Sequence, residues 1–155
     1  MPRDLLEAFA AARLFADMHP PLLEQVVLAE FMTEGHFARH IRRMRRLYAE
    51  RQAALVEAAR PLSSWLDVRP SEAGMHLLGW LPGGSDDQAI AQLAARHEVI
   101  TQPLSRCCIE PPEQRALLLG YASVPIPAIR EGVRRLATAF AEALPRNPAG
   151  RGDGR

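Results

Sequence analysis

Residues Phe31 to Arg51 read FMTEGHFARHIRRMRRLYAER, and the punctuation and period of this stretch decide the architecture. Thr33-Glu34-Gly35 closes one helical segment, because glycine tolerates the backbone conformation that a helix end demands. From Phe37 a new pattern runs: Phe37, Ile41, Met44, Tyr48 and Leu55 fall on one face of a 3.6-residue period. Arg39, Arg42, Arg43, Arg46, Glu50 and Arg51 lie mostly around the other side. The spacing predicts a long helix from about 37 to 59 with an apolar stripe and a basic back.

Upstream, Leu5, Phe9, Ala12 and Ala16 predict a helix over 3–17 that stops at His19-Pro20-Pro21. A second helix follows over 22–32 on Leu23, Val26 and Val27. Downstream of Pro61 the period changes. Met75 to Leu81 is an apolar run of strand length ended by Pro82-Gly83-Gly84, a turn signal. Ser85-Asp86-Asp87-Gln88 has the spacing of a capping box opening a helix over 86–97, with Ile90, Leu93 and Ala94 inward. Val99-Ile100-Thr101 and Ala116 to Ala122 read as two further strands, separated by a loop over 102–115 that carries Pro103, Pro111, Pro112 and both cysteines. Pro127 fits the first turn of a last helix with Ile129, Val133, Leu136 and Phe140 as its core face. The tail from Pro145, rich in Pro, Gly and Arg, is expected to be disordered. Together these elements predict an α+β lobe with a sheet of about three strands packed by helices and entered through a long helix.

Composition narrows the chemistry further. The 155 residues, 48% hydrophobic, suffice for one ordinary core or two small lobes, and a net charge of +1 supplies no global field toward nucleic acid or membrane. No apolar run reaches the length of a membrane span, and Met1-Pro2-Arg3-Asp4 leads into an amphipathic segment instead of a signal-peptide core, so a cytoplasmic location is expected. All 19 basic side chains under Lys+Arg are arginines. Arginine stays protonated and forms no Schiff base, so chemistry that runs through an internal aldimine is closed to this chain.

The remaining motifs are weighed by what accompanies them. Cys107-Cys108 are adjacent, which disfavours a disulfide, and no metal-type cluster surrounds them. His36 and His40 share a helix face at a spacing two metal ligands can use, yet no third ligand is evident and arginines flank them. No metal site follows. Gly83-Gly84 precedes a helix without the rest of a phosphate loop, and turn chemistry accounts for both. Ser63, Ser64, Ser71, Ser85, Ser105 and Ser123 lack a nucleophile-elbow context, and His76 and His97 sit in patterns that packing explains, so no catalytic residue is assigned. The run Arg39 to Arg46 could contact phosphates, but no DNA- or RNA-docking motif accompanies it, and a solvated or ion-paired face is the better account.

The pattern His40-Ile41-Arg42-Arg43-Met44-Arg45-Arg46-Leu47-Tyr48 resembles the arginine-bearing helix of aminotransferase-like proteins. Glu24-Gln25 with Ala29 and Phe31 upstream, and Gly74-Met75-His76, Pro103-Leu104-Ser105 and Leu118-Leu119-Gly120-Tyr121-Ala122 downstream, fall in the order that family shows. Over residues 2 to 143 the chain is similar to the MocR type of GntR-family regulator, which joins a winged helix-turn-helix to a class I/II aminotransferase domain that binds pyridoxal phosphate. The resemblance implies a fragment: residues 1–34 as helices from the end of the large domain, 35–60 as the linking helix, 62–143 as the small C-terminal lobe and 144–155 as tail. The DNA-binding domain, the large cofactor domain and the Schiff-base lysine would precede Met1.

The resemblance further implies an effector-binding and dimerisation role, with pyridoxal phosphate bound in the full-length family and none by this chain alone. Its expected partners are the large domain or a homodimer partner and an amino-acid-like effector, with DNA reached only through the absent N-terminal domain and no membrane contact. In the family an arginine at the start of the last strand often holds the substrate carboxylate. Here Leu118 stands at the matching place and Arg115 three residues earlier, which makes Arg115 the substrate-carboxylate candidate. Two other readings stay open: the small domain of a true amino-acid transaminase, and an autonomous α+β module that uses the basic helix for binding.

Overall fold

The computed structural model describes residues 2–17 and 21–143; the expected disordered tail at 144–155 lies outside them. Packing divides the chain into two units that meet in sequence between Met44 and Arg45.

The first unit is helical. A 3₁₀ turn at Arg3–Leu5 leads into α1 (Leu6–Asp17), followed by α2 (Leu22–Thr33) and the first part of α3 (His36–Ala59). Gly35 separates α2 from α3 at φ +77°, the left-handed conformation that glycine adopts without strain, which is why the sequence break falls there. Thr33 donates its hydroxyl to Ala29 O and Glu30 O and so closes the last turn of α2. No described residue of α2 is buried. Phe9, Phe15, Leu22, Leu23, Val26, Val27 and Leu28 are all more than half exposed.

The second unit holds the core. Its sheet has four antiparallel strands in the order β1-β2-β4-β3, with β1 Asp67–Val68, β2 His76–Trp80, β3 Gln102–Pro103 and β4 Ala116–Gly120. The expectation of about three strands is therefore one short. The missing strand is Asp67–Val68, and two residues are too few to show a period. The strand expected at 99–101 starts instead at Gln102. Val99 and its two predecessors use their amides to close α4 (Asp87–Arg96): His97 N and Val99 N both donate to Ala94 O, and Glu98 N donates to Ala95 O. Residues 102–115 are correspondingly no plain loop, since they contain β3 and a 3₁₀ turn at Leu104–Cys107.

One sheet face carries Leu77, Leu117 and Leu119 into a core completed by Leu55 and Ala59 of α3, Ile90 and Ala94 of α4, and Ile129, Val133, Leu136 and Phe140 of α5 (Ile126–Ala143). Gly79 belongs to this face: a Cβ there would lie 2.6 Å from Leu66 Cδ1, so the absent side chain lets Leu66 pack against the sheet. The alternate residues lie on the opposite face, where His76, Leu78 and Trp80 on β2 and Leu118 and Gly120 on β4 remain half-exposed or exposed and Ala116, opposite Trp80, is buried. Helices thus cover one side of the sheet and leave most of the other open. Tyr121 pins the far end: its hydroxyl donates to Gly74 O at 2.8 Å and accepts from Gln52 Nε2 at 3.1 Å, tying α3 to the segment that enters β2.

Candidate functional site

α4 begins at Asp86, whose carboxylate accepts the amides of Gln88 (2.9 Å) and Ala89 (3.2 Å). The cap is therefore Asp86 and not the Ser85 of the expected capping box, and the Gln88 side chain donates to Ser105 Oγ instead of reaching back. The one-residue shift turns Asp87 inward. It is 1% exposed and is the only buried polar or charged side chain among the described residues. Its Oδ1 accepts the Ser105 hydroxyl at 2.8 Å and its Oδ2 the Ser105 amide at 2.9 Å, with Arg115 Nη1 4.0 Å away. A carboxylate at a helix N-terminus that takes both donors of one loop residue fixes that loop in place.

The fixed loop walls a groove of ≈ 440 Å³ on the open sheet face, floored by Leu118 and Gly120 and bounded by His76, Gln102, Pro103 and Arg106. Gln102 pairs with Leu118 across the sheet, and the Thr101 hydroxyl donates to Leu118 O at 2.7 Å, so this edge is held by side chain as well as ladder. His76 lies opposite Gly120, where a Cβ would come within 3.3 Å of its ring. Arg106 and His76 are the groove's groups able to carry positive charge, and no carboxylate lines it.

The other residues singled out in the sequence lie elsewhere. Arg115 stands at the foot of β4, 34% exposed beside Asp87, and its carbonyl accepts the Leu81 amide at 2.9 Å. His36 pairs with Glu34 at 3.1 Å and stacks on Phe31, while His40 is exposed. His97 pairs with Glu142 at 3.1 Å. Cys107 and Cys108 are free thiols, the first exposed and the second half-buried. Gly84 sits at φ +80° in the turn before α4. Arg39, Arg42, Arg43, Arg45 and Arg46 are exposed and take part in no ion pair among the described residues. The described residues hold no group of three potential metal ligands and no helix long and apolar enough to cross a membrane. Asp87 and Arg106 are absent from the sequence-derived candidates; the acidic doublet before a helix is the signal for the first, and nothing local marks the second.

The architecture has a counterpart among solved structures. The crystal structure of LysN, the α-aminoadipate aminotransferase of Thermus thermophilus complexed with N-(5'-phosphopyridoxyl)-L-leucine, matches 92% of this chain and 37% of its own at TM-score 0.78 and 28% identity. The chain is the C-terminal portion of a class I/II aminotransferase-like fold. Among curated proteins, this aminotransferase-like chain is 38% identical over 141 residues to the probable rhizopine catabolism regulatory protein MocR of Rhizobium meliloti, covering 90% of this chain and 29% of the regulator. It is 29% identical over 138 residues to the 2-aminoadipate transaminase of Thermus thermophilus, covering 88% of this chain and 34% of that enzyme. The chain thus spans about a third or less of these curated relatives. No protein-family model matches the sequence.

Pyridoxal phosphate, the cofactor the resemblance implies, finds no covalent anchor in this aminotransferase-like chain, because no residue offers an ε-amine. Incubation with the cofactor followed by borohydride reduction is expected to leave every internal residue unmodified in peptide mass mapping, with slow labelling of the α-amino group alone. A reduced adduct on an internal residue would contradict the assignment.

Proposed function

We propose that this chain is the C-terminal part of the effector-binding and dimerisation domain of a MocR-type regulator and has no catalytic activity by itself. In this reading residues 1–34 belong to the end of a large domain, 35–60 link the lobes and 62–143 form the small lobe. The large domain or a homodimer partner covers the exposed apolar side chains of α1 and α2, pyridoxal phosphate and its lysine reside on that larger part, and DNA is bound through a separate N-terminal domain. The observation that carries it is the 38% identity to the regulator along nearly the whole chain. Leu118 supports the same conclusion: a strand that presents a leucine where transaminases of this fold often use an arginine suits a protein that senses an amino-acid-like effector without turning it over.

Grafting tests the reading. Residues 2–143 substituted for the matching C-terminal segment of the Rhizobium meliloti regulator are expected to give a dimer with bound cofactor. The same graft into the Thermus thermophilus 2-aminoadipate transaminase is expected to assemble without transaminating. An active transaminase graft would favour the small lobe of a true transaminase, and failure of both grafts to assemble would overturn the domain assignment.

The second reading, an autonomous module binding through its basic helix, draws on the exposed arginines between Arg39 and Arg46. It requires tight DNA binding by the chain alone that persists at physiological salt, where simple counterion release predicts loss.

A further inference from the structure

We propose that the cleft between α5 and residues 98–101, on the helix-covered side of the sheet, is a binding site for one small, uncharged apolar molecule, the size of a single aromatic ring or a short branched hydrocarbon. Its walls all belong to the unit that begins at Arg45, so the site does not depend on the regulator reading or on what covers α1 and α2.

Three observations converge on the cleft. First, it encloses ≈ 210 Å³, and its inner wall is Leu55, Leu119, Ile129, Val133 and Leu136, all buried. A cavity of about 150 Å³ lined by such side chains stays dry and takes up benzene, so this space admits one ring with room for a short substituent. The polar side chains at its border are already engaged: the Thr101 hydroxyl donates to Leu118 O at 2.7 Å, and the Glu98 carboxylate pairs with Arg135 of α5. Among the described residues no buried side-chain nitrogen or oxygen lacks a partner, so the lining favours an uncharged ligand over an ionic one. Second, the space is kept by a residue that weakens its own helix. Gly132 lies inside α5 and lines the cleft, and a Cβ built there meets no atom within 4 Å. Glycine in a helix interior is less favourable than alanine, and neither a close contact nor a left-handed backbone calls for it at this position. Ala128, one turn earlier in α5, lines the same space. Third, the walls are tethered. Glu98, the one described non-glycine residue at positive φ (+60°), is held there by the bonds that close α4, its amide on Ala95 O and the Val99 amide on Ala94 O. Arg135 joins that turn to α5 and Thr101 joins it to β4. A void persists where its walls cannot relax into it, and a preformed void takes an apolar ligand without the cost of opening.

Partition of benzene between buffer and the full 155-residue chain, read from the headspace vapour, tests the site and tolerates self-association. Wild type is expected to take up about one benzene per chain saturably, above the linear uptake of exposed apolar surface. Gly132→Leu, which puts a side chain into the cleft, should weaken that uptake about ten-fold or more and leave the urea midpoint at or above that of wild type. Gly132→Ala should raise the midpoint and weaken uptake about three-fold, which keeps the test decisive where the leucine variant does not fold. Leu23→Glu/Val27→Glu, on α2, should leave the saturable uptake within about two-fold, because α2 contributes nothing to the lining. No saturable uptake by wild type, uptake unchanged in both Gly132 variants, a Gly132→Ala midpoint below wild type, or a loss confined to the α2 variant would each overturn the proposal. None of these outcomes depends on whether the grafts assemble, so the failure of this site and the failure of the regulator reading remain separate results.

Discussion

Asp87→Ala is expected to lower the stability of the unit that begins at Arg45 by about 3 kcal/mol, read as a shift of the urea midpoint at constant m-value. The substitution removes both acceptors of Ser105 and strips Arg115 of its nearest carboxylate, at a position sealed from solvent by the loop it holds. The neighbouring Asp86→Ala removes a solvent-exposed helix cap and should cost only about 1 kcal/mol. Arg115→Ala should also fall well below Asp87→Ala, because the guanidinium is 34% exposed and sits at the outer limit of an ion pair. An Asp87→Ala midpoint equal to or above that of Asp86→Ala would show that the 104–107 turn is held by something other than this carboxylate.

The purified chain should also self-associate and bind a hydrophobic dye, and the double substitution Leu23→Glu/Val27→Glu should reverse both. On α2 the apolar residues Leu22, Leu23, Val26, Val27, Leu28, Phe31 and Met32 occur on every side of the helix, and the exposure of Leu23 reaches 73%. Phe15 on α1 is 89% exposed. A helix that is apolar all round belongs to an interior, and exposing it in water drives association at roughly 25 cal/mol per Å² of apolar surface covered. Sedimentation velocity should therefore show species larger than a monomer for the wild type, and dye fluorescence should fall several-fold for the double variant. A monodisperse wild-type monomer without dye binding would mean that these helices need no partner and would favour the autonomous module.

Amphipathic period places α4 and α5 within a residue or so, because each buries a repeating stripe: Ile129, Val133, Leu136 and Phe140 share one face in the sequence pattern and are all buried. The same period places α3, but of its expected stripe only Leu55 is buried, while Ile41, Met44 and Tyr48 are half-buried and Phe37 is exposed. The central strands β2 and β4 are legible because each is a five-residue, mostly apolar run of strand length, with a turn signal after β2 and a proline-rich stretch before β4. Gly35 marks the break between α2 and α3 by composition alone. The sequence by itself also determines one chemical fact that no fold can alter, the absence of a lysine amine for a Schiff base.

What tertiary structure decides lies at the edges and across long separations. β1 and β3 are two residues each and exist only because β2 and β4 offer them unpaired backbone; two residues carry no period, so nothing local announces them. Asp87 reads as helix-start decoration until Ser105, 18 residues on, is brought to it. Arg106 and His76 become parts of one groove only when β2, β4 and the loop beyond β3 are assembled on the same sheet face. Helices and central strands are set by contacts whose spacing is written along the chain, whereas a site is set by which distant residues the packed sheet brings within a few ångströms of one another, and that distance is a property of the fold.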